Sequence, residues 1–140
     1  MTYTATAQPI DGTLRHAIDV NGRHTIITDE PARLGGTDTA PTPHELLAAT
    51  LGSCVSTMLM LYAKPREIDL SDLRVDIDYD ADTTPRQVEI TVHLPDHLTA
   101  DQRKRLENVA QTCPVRRALE AGFSFSERLL TTPAPIHAGA

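Results

Sequence analysis

The chain has no tryptophan, and aromatic residues are only 4% of its 140 positions. Its core must therefore be mainly aliphatic. Positive charge is also short: 13 Lys and Arg stand against 19 Asp and Glu, a net charge of -6. That balance argues against the sequence-independent attraction to phosphates on which nucleic-acid binders depend. No run of like charge is long enough for a polybasic membrane patch. The start of the chain, Met1 to Ala5, has neither a basic segment nor an apolar signal core, and a cytoplasmic setting is expected. Cysteine is scarce, with Cys54 and Cys113 alone. In a reducing compartment a bridge between them is more readily catalytic than structural.

What is present suits one domain, with hydrophobic residues at 40% of the chain and roughly two-thirds of the unfolded surface buried on folding. Early strands are expected over Tyr3 to Ala7 and around Leu14, Ile18 and Val20. Asn21-Gly22 readily takes the positive φ angles of a two-residue hairpin turn, with a returning strand from about Arg23 to Thr28. Pro31 to Pro43 reads as an ordered loop leading into a helix. There Thr42 is a suitable N-cap, Pro43 fits the first helical position and Glu45 completes a capping box. The helix runs from Leu46 to Ala63, apolar on nearly every side. Interruption by Thr50, Ser53, Ser56 and Thr57 marks it as a central helix covered all round rather than a membrane span. Its small residues Ala48, Ala49, Gly52 and Ser53 permit close approach of another backbone.

Two strands with one wet face follow. Leu73, Val75, Ile77 and Tyr79 alternate with Arg74, Asp76, Asp78 and Asp80, and Val88, Ile90, Val92 and Leu94 repeat the period. A second helix begins at the Thr99 cap, with the stripe Leu106, Val109, Ala110 and Cys113 turned inward. Pro114 breaks it, because proline lacks the N–H a continuing helix needs, and opens a short helix from Val115 to Ala121 closed by Gly122. A last strand is expected from Phe123 to Leu129 and a flexible tail from Thr131 to Ala140.

Cys113 falls at the N-cap of that short helix, where free N–H groups and the helix dipole favour a thiolate and Arg116 and Arg117 add positive charge. Cys54 lies inside an apolar helix, and burial alone would raise its pKa and leave it inert. If it is a nucleophile, an arginine from elsewhere must reach it. The residues alone leave open whether the pair is reactive or simply two small buried hydrophobes. Other constellations are weaker. Asp76, Asp78, Asp80 and Asp82 alternate like calcium ligands, but the required glycine is missing and the solvated face of a strand is preferred. His16, His24, His44, His93, His97 and His137 are scattered, and Pro95 prevents His93 and His97 from forming a helical zinc pair. Gly35-Gly36-Thr37 lacks the rest of a phosphate loop, and no serine sits in a nucleophile elbow.

The segment from Leu34 to Cys54, LGGTDTAPTPHELLAATLGSC, carries a Gly-Gly loop, a Pro-x-Glu-Leu-Leu helix start and a cysteine after small residues. Cys113-Pro114-Val115 follows about sixty residues later at a helix end. Together these resemble the osmotically inducible protein C and organic hydroperoxide resistance family over nearly the whole chain, with residues 1–130 as its single domain. The resemblance implies an α+β fold built as an intertwined homodimer, central apolar helices packed against antiparallel sheets. It implies cysteine-dependent reduction of organic hydroperoxides, with Cys54 as peroxidatic cysteine, Cys113 as resolving cysteine and Glu45 as the site glutamate. Glu45 and Cys54 are nine residues apart, which at about 100° each puts them on opposite faces of a straight helix. A shared site then draws on a partner subunit or a bent helix start.

The family also holds its thiolate with an arginine. Arg33, just before the Gly-Gly loop, is preferred to Arg15 in an early strand, and Arg23 beside the hairpin turn is a third possibility. The cycle so implied takes an organic hydroperoxide and an external dithiol reductant, and requires no metal, bound cofactor, nucleic acid or membrane. The apolar neighbours Leu51, Val55 and Met58 favour a fatty or aromatic hydroperoxide. The alternative is a non-enzymatic or redox-sensing dimer of the same fold that binds a small apolar ligand.

Overall fold

Three antiparallel strands open the chain in the computed structural model, which describes residues 1–131. They are β1 (Ala5–Pro9), β2 (His16–Val20) and β3 (His24–Thr28), in the order β1-β2-β3. Asn21 and Gly22 both have positive φ, 53° and 65°, the geometry of the expected hairpin turn. Asn21 also ties in β1, its Oδ1 accepting the Thr4 N–H at 2.8 Å. The first two strands are shifted from their expected limits. Asp11 and Gly12, at φ 51° and 67°, turn the chain early, and Ile10 N–H donates to the Arg15 carbonyl at 2.8 Å. Leu14 therefore belongs to the connection, and β2 begins at His16.

The loop after β3 is organised by one carboxylate. Asp29 is 1% exposed, and its oxygens accept the backbone N–H groups of Glu30, Thr37 and Thr39 and the hydroxyls of Thr37 (2.6 Å) and Thr39 (3.0 Å). Gly36 lies so close to the Glu30 carbonyl that a Cβ there would collide with backbone. Asp29 N–H donates to the Pro41 carbonyl at 3.2 Å, closing the loop just before the next helix.

That helix, α1, spans Pro43–Ala63 and starts with the expected capping box. Thr42 Oγ1 accepts from Glu45 N–H at 3.2 Å, and Glu45 Oε2 accepts from Thr42 N–H at 2.7 Å. By length and composition α1 could cross a membrane; in this fold it carries the core. Leu51, Val55, Leu59 and Ala63, each four residues after the last, are buried. The expectation that it is covered all round is corrected, since Met60 and Leu61 are 42% and 64% exposed in the single chain. One strand pair and two short helices can cover one face only.

β4 (Arg74–Asp80) and β5 (Gln87–His93) form the second sheet, antiparallel with Ile77 opposite Ile90. Gly52 of α1 faces Ile77, at a distance where a Cβ would already be tight. The outer face of this sheet carries an ion cluster, with His93 Nε2 2.8 Å and Arg74 Nη2 3.2 Å from Asp76 Oδ2. Then α2 (Ala100–Ala110), capped by Thr99 with Gln102 reciprocating, packs Leu106 against α1. Finally α3 (Pro114–Ala121) begins at the Cys113 cap and stops at Gly122, φ 78°.

Two features depart from the sequence reading. Phe123 to Leu129 is not a strand: among the described residues no strand runs beside it, and Phe125 and Leu129 are 85% and 98% exposed. Extended backbone needs a ladder partner, and the described residues offer it none. The expected tail beyond Thr131 lies outside the described residues. The first sheet also makes no more than isolated contacts with the helices or the second sheet among the described residues.

Hydrogen bonds, led by that from the Thr37 hydroxyl, hold the Asp29 carboxyl well below the usual carboxylate range despite its burial. A depressed folded pKa contributes stability above the unfolded value, about 3.9, and loses it as pH falls further. Thermal unfolding of Asp29→Asn should therefore lie well below the native protein at pH 7. The gap should narrow below about pH 4, as the native carboxylate loses its advantage. A gap independent of pH would contradict this account.

Candidate active site

Pro114 gives the site its shape. It cannot donate to a carbonyl of α2, so the chain leaves helical geometry at Cys113 (φ -53°, ψ 117°) and restarts as α3. The first N–H groups of α3 have no carbonyl to serve and turn to sulfur. Arg116 N–H donates to Cys113 Sγ at 3.4 Å, so the cysteine itself caps the helix. Cys113 is fully buried, in one cluster with Val55, Leu59 and Leu106, and Cys54 packs on that cluster.

The two thiols meet there. Both are free, and Cys54 packs on the cluster that holds Cys113, close enough for Cys113 to act on its thiol. Burial is the main influence raising the Cys54 pKa; the hydrogen bond with Cys113 and the charge of Cys113 raise it further. Opposing them is the backbone N–H of Val115, in the first turn of α3, which stabilises the thiolate. No cation among the described residues is a cause of the shift. Arg116, whose Nε is paired with Glu120 at 2.9 Å, is not among those influences.

The remaining candidates stand apart from the sulfurs. Glu45 is exposed and engaged at the helix start, and it forms no ion pair among the described residues. Arg33 is exposed on a 3-10 turn, Ala32–Leu34. Arg23 is exposed beside the hairpin turn. Arg15 is half-buried, and its Nε is shut off from solvent without a hydrogen-bond partner among the described residues. It lines a cavity of about 230 Å³ with Asp29, Gly35, Gly36 and Thr37. Sequence reasoning passed over Asp29, whose only signal was an acidic pair, Asp29-Glu30, following Ile26-Ile27-Thr28. It also passed over the Val115 N–H, which has no side-chain signature.

The fold is thus an α+β frame of one long helix and antiparallel sheets, with a half-buried and a buried cysteine brought together at a helix N-terminus. Residues 36–128 match the family model of OsmC-like proteins, and the chain belongs to that family. Solved structures agree. A Psychrobacter arcticus 273-4 protein described as an osmotic stress induced and detoxification response protein is 32% identical, with 84% of this chain and 87% of that chain covered at a TM-score of 0.65. A Vibrio cholerae protein described as an organic hydroperoxide resistance protein, with captopril bound in one of the active sites, is 21% identical at a TM-score of 0.63, covering 85% and 84%. An organic hydroperoxide resistance protein OsmC from Legionella pneumophila is 22% identical at 0.59, covering 85% and 89%. No curated protein gives a significant match.

Because Cys113 raises the Cys54 pKa, Cys113→Ala should shift the pH midpoint of Cys54 alkylation by iodoacetamide downward. An unmoved or higher midpoint would show that the two sulfurs do not interact.

Proposed function

We propose that this protein is a thiol peroxidase that reduces organic hydroperoxides to alcohols. The observation that carries the proposal is the meeting of two free thiols, Cys54 and Cys113, beside the N–H groups that open α3. The Cys54 thiolate attacks the terminal oxygen of R–O–O–H. The O–O bond breaks, Cys54 becomes a sulfenic acid, and the alkoxide leaves and takes a proton to become the alcohol. Cys113 then attacks the sulfenic sulfur, closing a disulfide and releasing water. An external dithiol reopens it by exchange and is itself oxidised. The apolar setting of Cys54, packed on a cluster that contains Val55 and Leu59, suits a fatty or aromatic hydroperoxide.

The active form is a homodimer. Support comes from what one chain leaves open: Met60 and Leu61 on α1, the segment from Phe123 to Leu130, and a first sheet almost without packing of its own. The partner brings the missing cation to Cys54, and Glu45 orients it. Arg15 is the stronger candidate, because its buried Nε has no partner among the described residues, whereas Arg33 is solvent-exposed.

One equivalent of cumene hydroperoxide per chain should remove both thiols rapidly. Cys54→Ser should abolish the loss, and Cys113→Ser should leave a sulfenic acid that dimedone traps. Thiols that survive the peroxide would sink the enzyme and favour a ligand-binding role for the same fold. Sedimentation equilibrium should return twice the mass of the chain, and Leu61→Arg should shift it towards the monomer.

A further inference from the structure

We infer that Asp29 is a positioning residue for Arg15, acting through the Gly-Gly loop. The inference rests on Arg15 being the cation of Cys54. Arg15 reaches its place from β2's leading edge, and the opposite wall of its cavity is the loop Gly35, Gly36 and Thr37. That wall has no core of its own. Its position is set by the Asp29 carboxylate, which gathers the Thr37 and Thr39 N–H groups and hydroxyls. Asp38 N–H and Gly36 N–H donate to the Glu30 and Pro31 carbonyls, at 3.1 and 3.2 Å. Gly36 lies against Glu30 with no room for a side chain.

The charges on that cavity are Asp29 and Arg15, yet they form no ion pair. Asp29 is already saturated by five donors from Glu30, Thr37 and Thr39. A carboxylate occupied in this way shapes the cavity without capturing the guanidinium, which stays free to serve a thiolate. Thr37 and Thr39 thus do two things: they fix the loop, and they keep Asp29 from competing for Arg15. Asp29 touches no reacting atom in this arrangement; it sets where the arginine stands.

The test follows Cys54 alkylation against pH and its oxidation rate by cumene hydroperoxide, in a Cys113→Ser background that leaves one thiol. Arg15→Gln is the reference. Asp29→Asn and Thr37→Val should each raise the alkylation midpoint by about one pH unit, about a tenfold loss of thiolate at neutral pH. Oxidation should slow in proportion. Thr37→Ser, which keeps the hydroxyl, should restore the native profile. A role confined to stability would lower the melting temperature and leave the midpoint alone. If Arg15→Gln moves the midpoint and the loop variants do not, the inference about Asp29 is overturned while the arginine assignment stands. If Arg15→Gln has no effect, the arginine assignment fails and the inference with it. Should Asp29→Asn not fold, the Thr37 pair decides the matter.

Discussion

Proline at position 114 has no N–H to give to α2, and the candidate site depends on that missing donor. The helix cannot continue, so the chain turns at Cys113 and starts again as α3. A helix that starts inside a core must place its first N–H groups somewhere, and here they face sulfur: Arg116 N–H donates to Cys113, and the Val115 N–H favours the Cys54 thiolate. A single uninterrupted helix through position 113 would have spent those donors on its own carbonyls. The thiols would then share a greasy contact with nothing to favour a negative charge.

The second organising constraint is the incompleteness of one chain. α1 buries the line Leu51, Val55, Leu59 and Ala63 and leaves Met60 and Leu61 open to water. The segment after α3 carries Phe123, Phe125 and Leu129 with no ladder to join. Apolar surface of this extent, together with a sheet that hardly touches the rest, makes the homodimer the economical reading of the fold. The proposed dimer would also bring a cation to Cys54, whose ionisation burial opposes and no cation among the described residues relieves.

Much of this was legible beforehand, and the reasons are local. Thr42 with Glu45 and Thr99 with Gln102 announce helix starts because each pair satisfies donors within one turn. Asn21-Gly22 announces a hairpin because both residues accept positive φ. The alternation around Ile77 and Ile90 announces a half-buried strand pair. The errors fall where locality ends. Phe123 to Leu129 has the composition of a strand, but pairing is a relation between segments. The all-apolar helix looked enclosed because composition does not say which neighbour covers which face. Spacing favoured Arg33 over Arg15, but Arg33 is solvent-exposed and it is the Arg15 Nε that is buried without a partner among the described residues.

The sequence by itself determined the elements, their order, the family and the identity of the two cysteines, since caps, turns and periodic patterns act over a few residues. Tertiary structure alone decided that Cys54 and Cys113, about sixty residues apart, share one pocket of the core. It also decided that the first acid after β3, Asp29, would become the anchor of a loop. Both outcomes depend on burial, which removes water as a partner and obliges each sulfur, carboxylate and N–H to find another inside the protein.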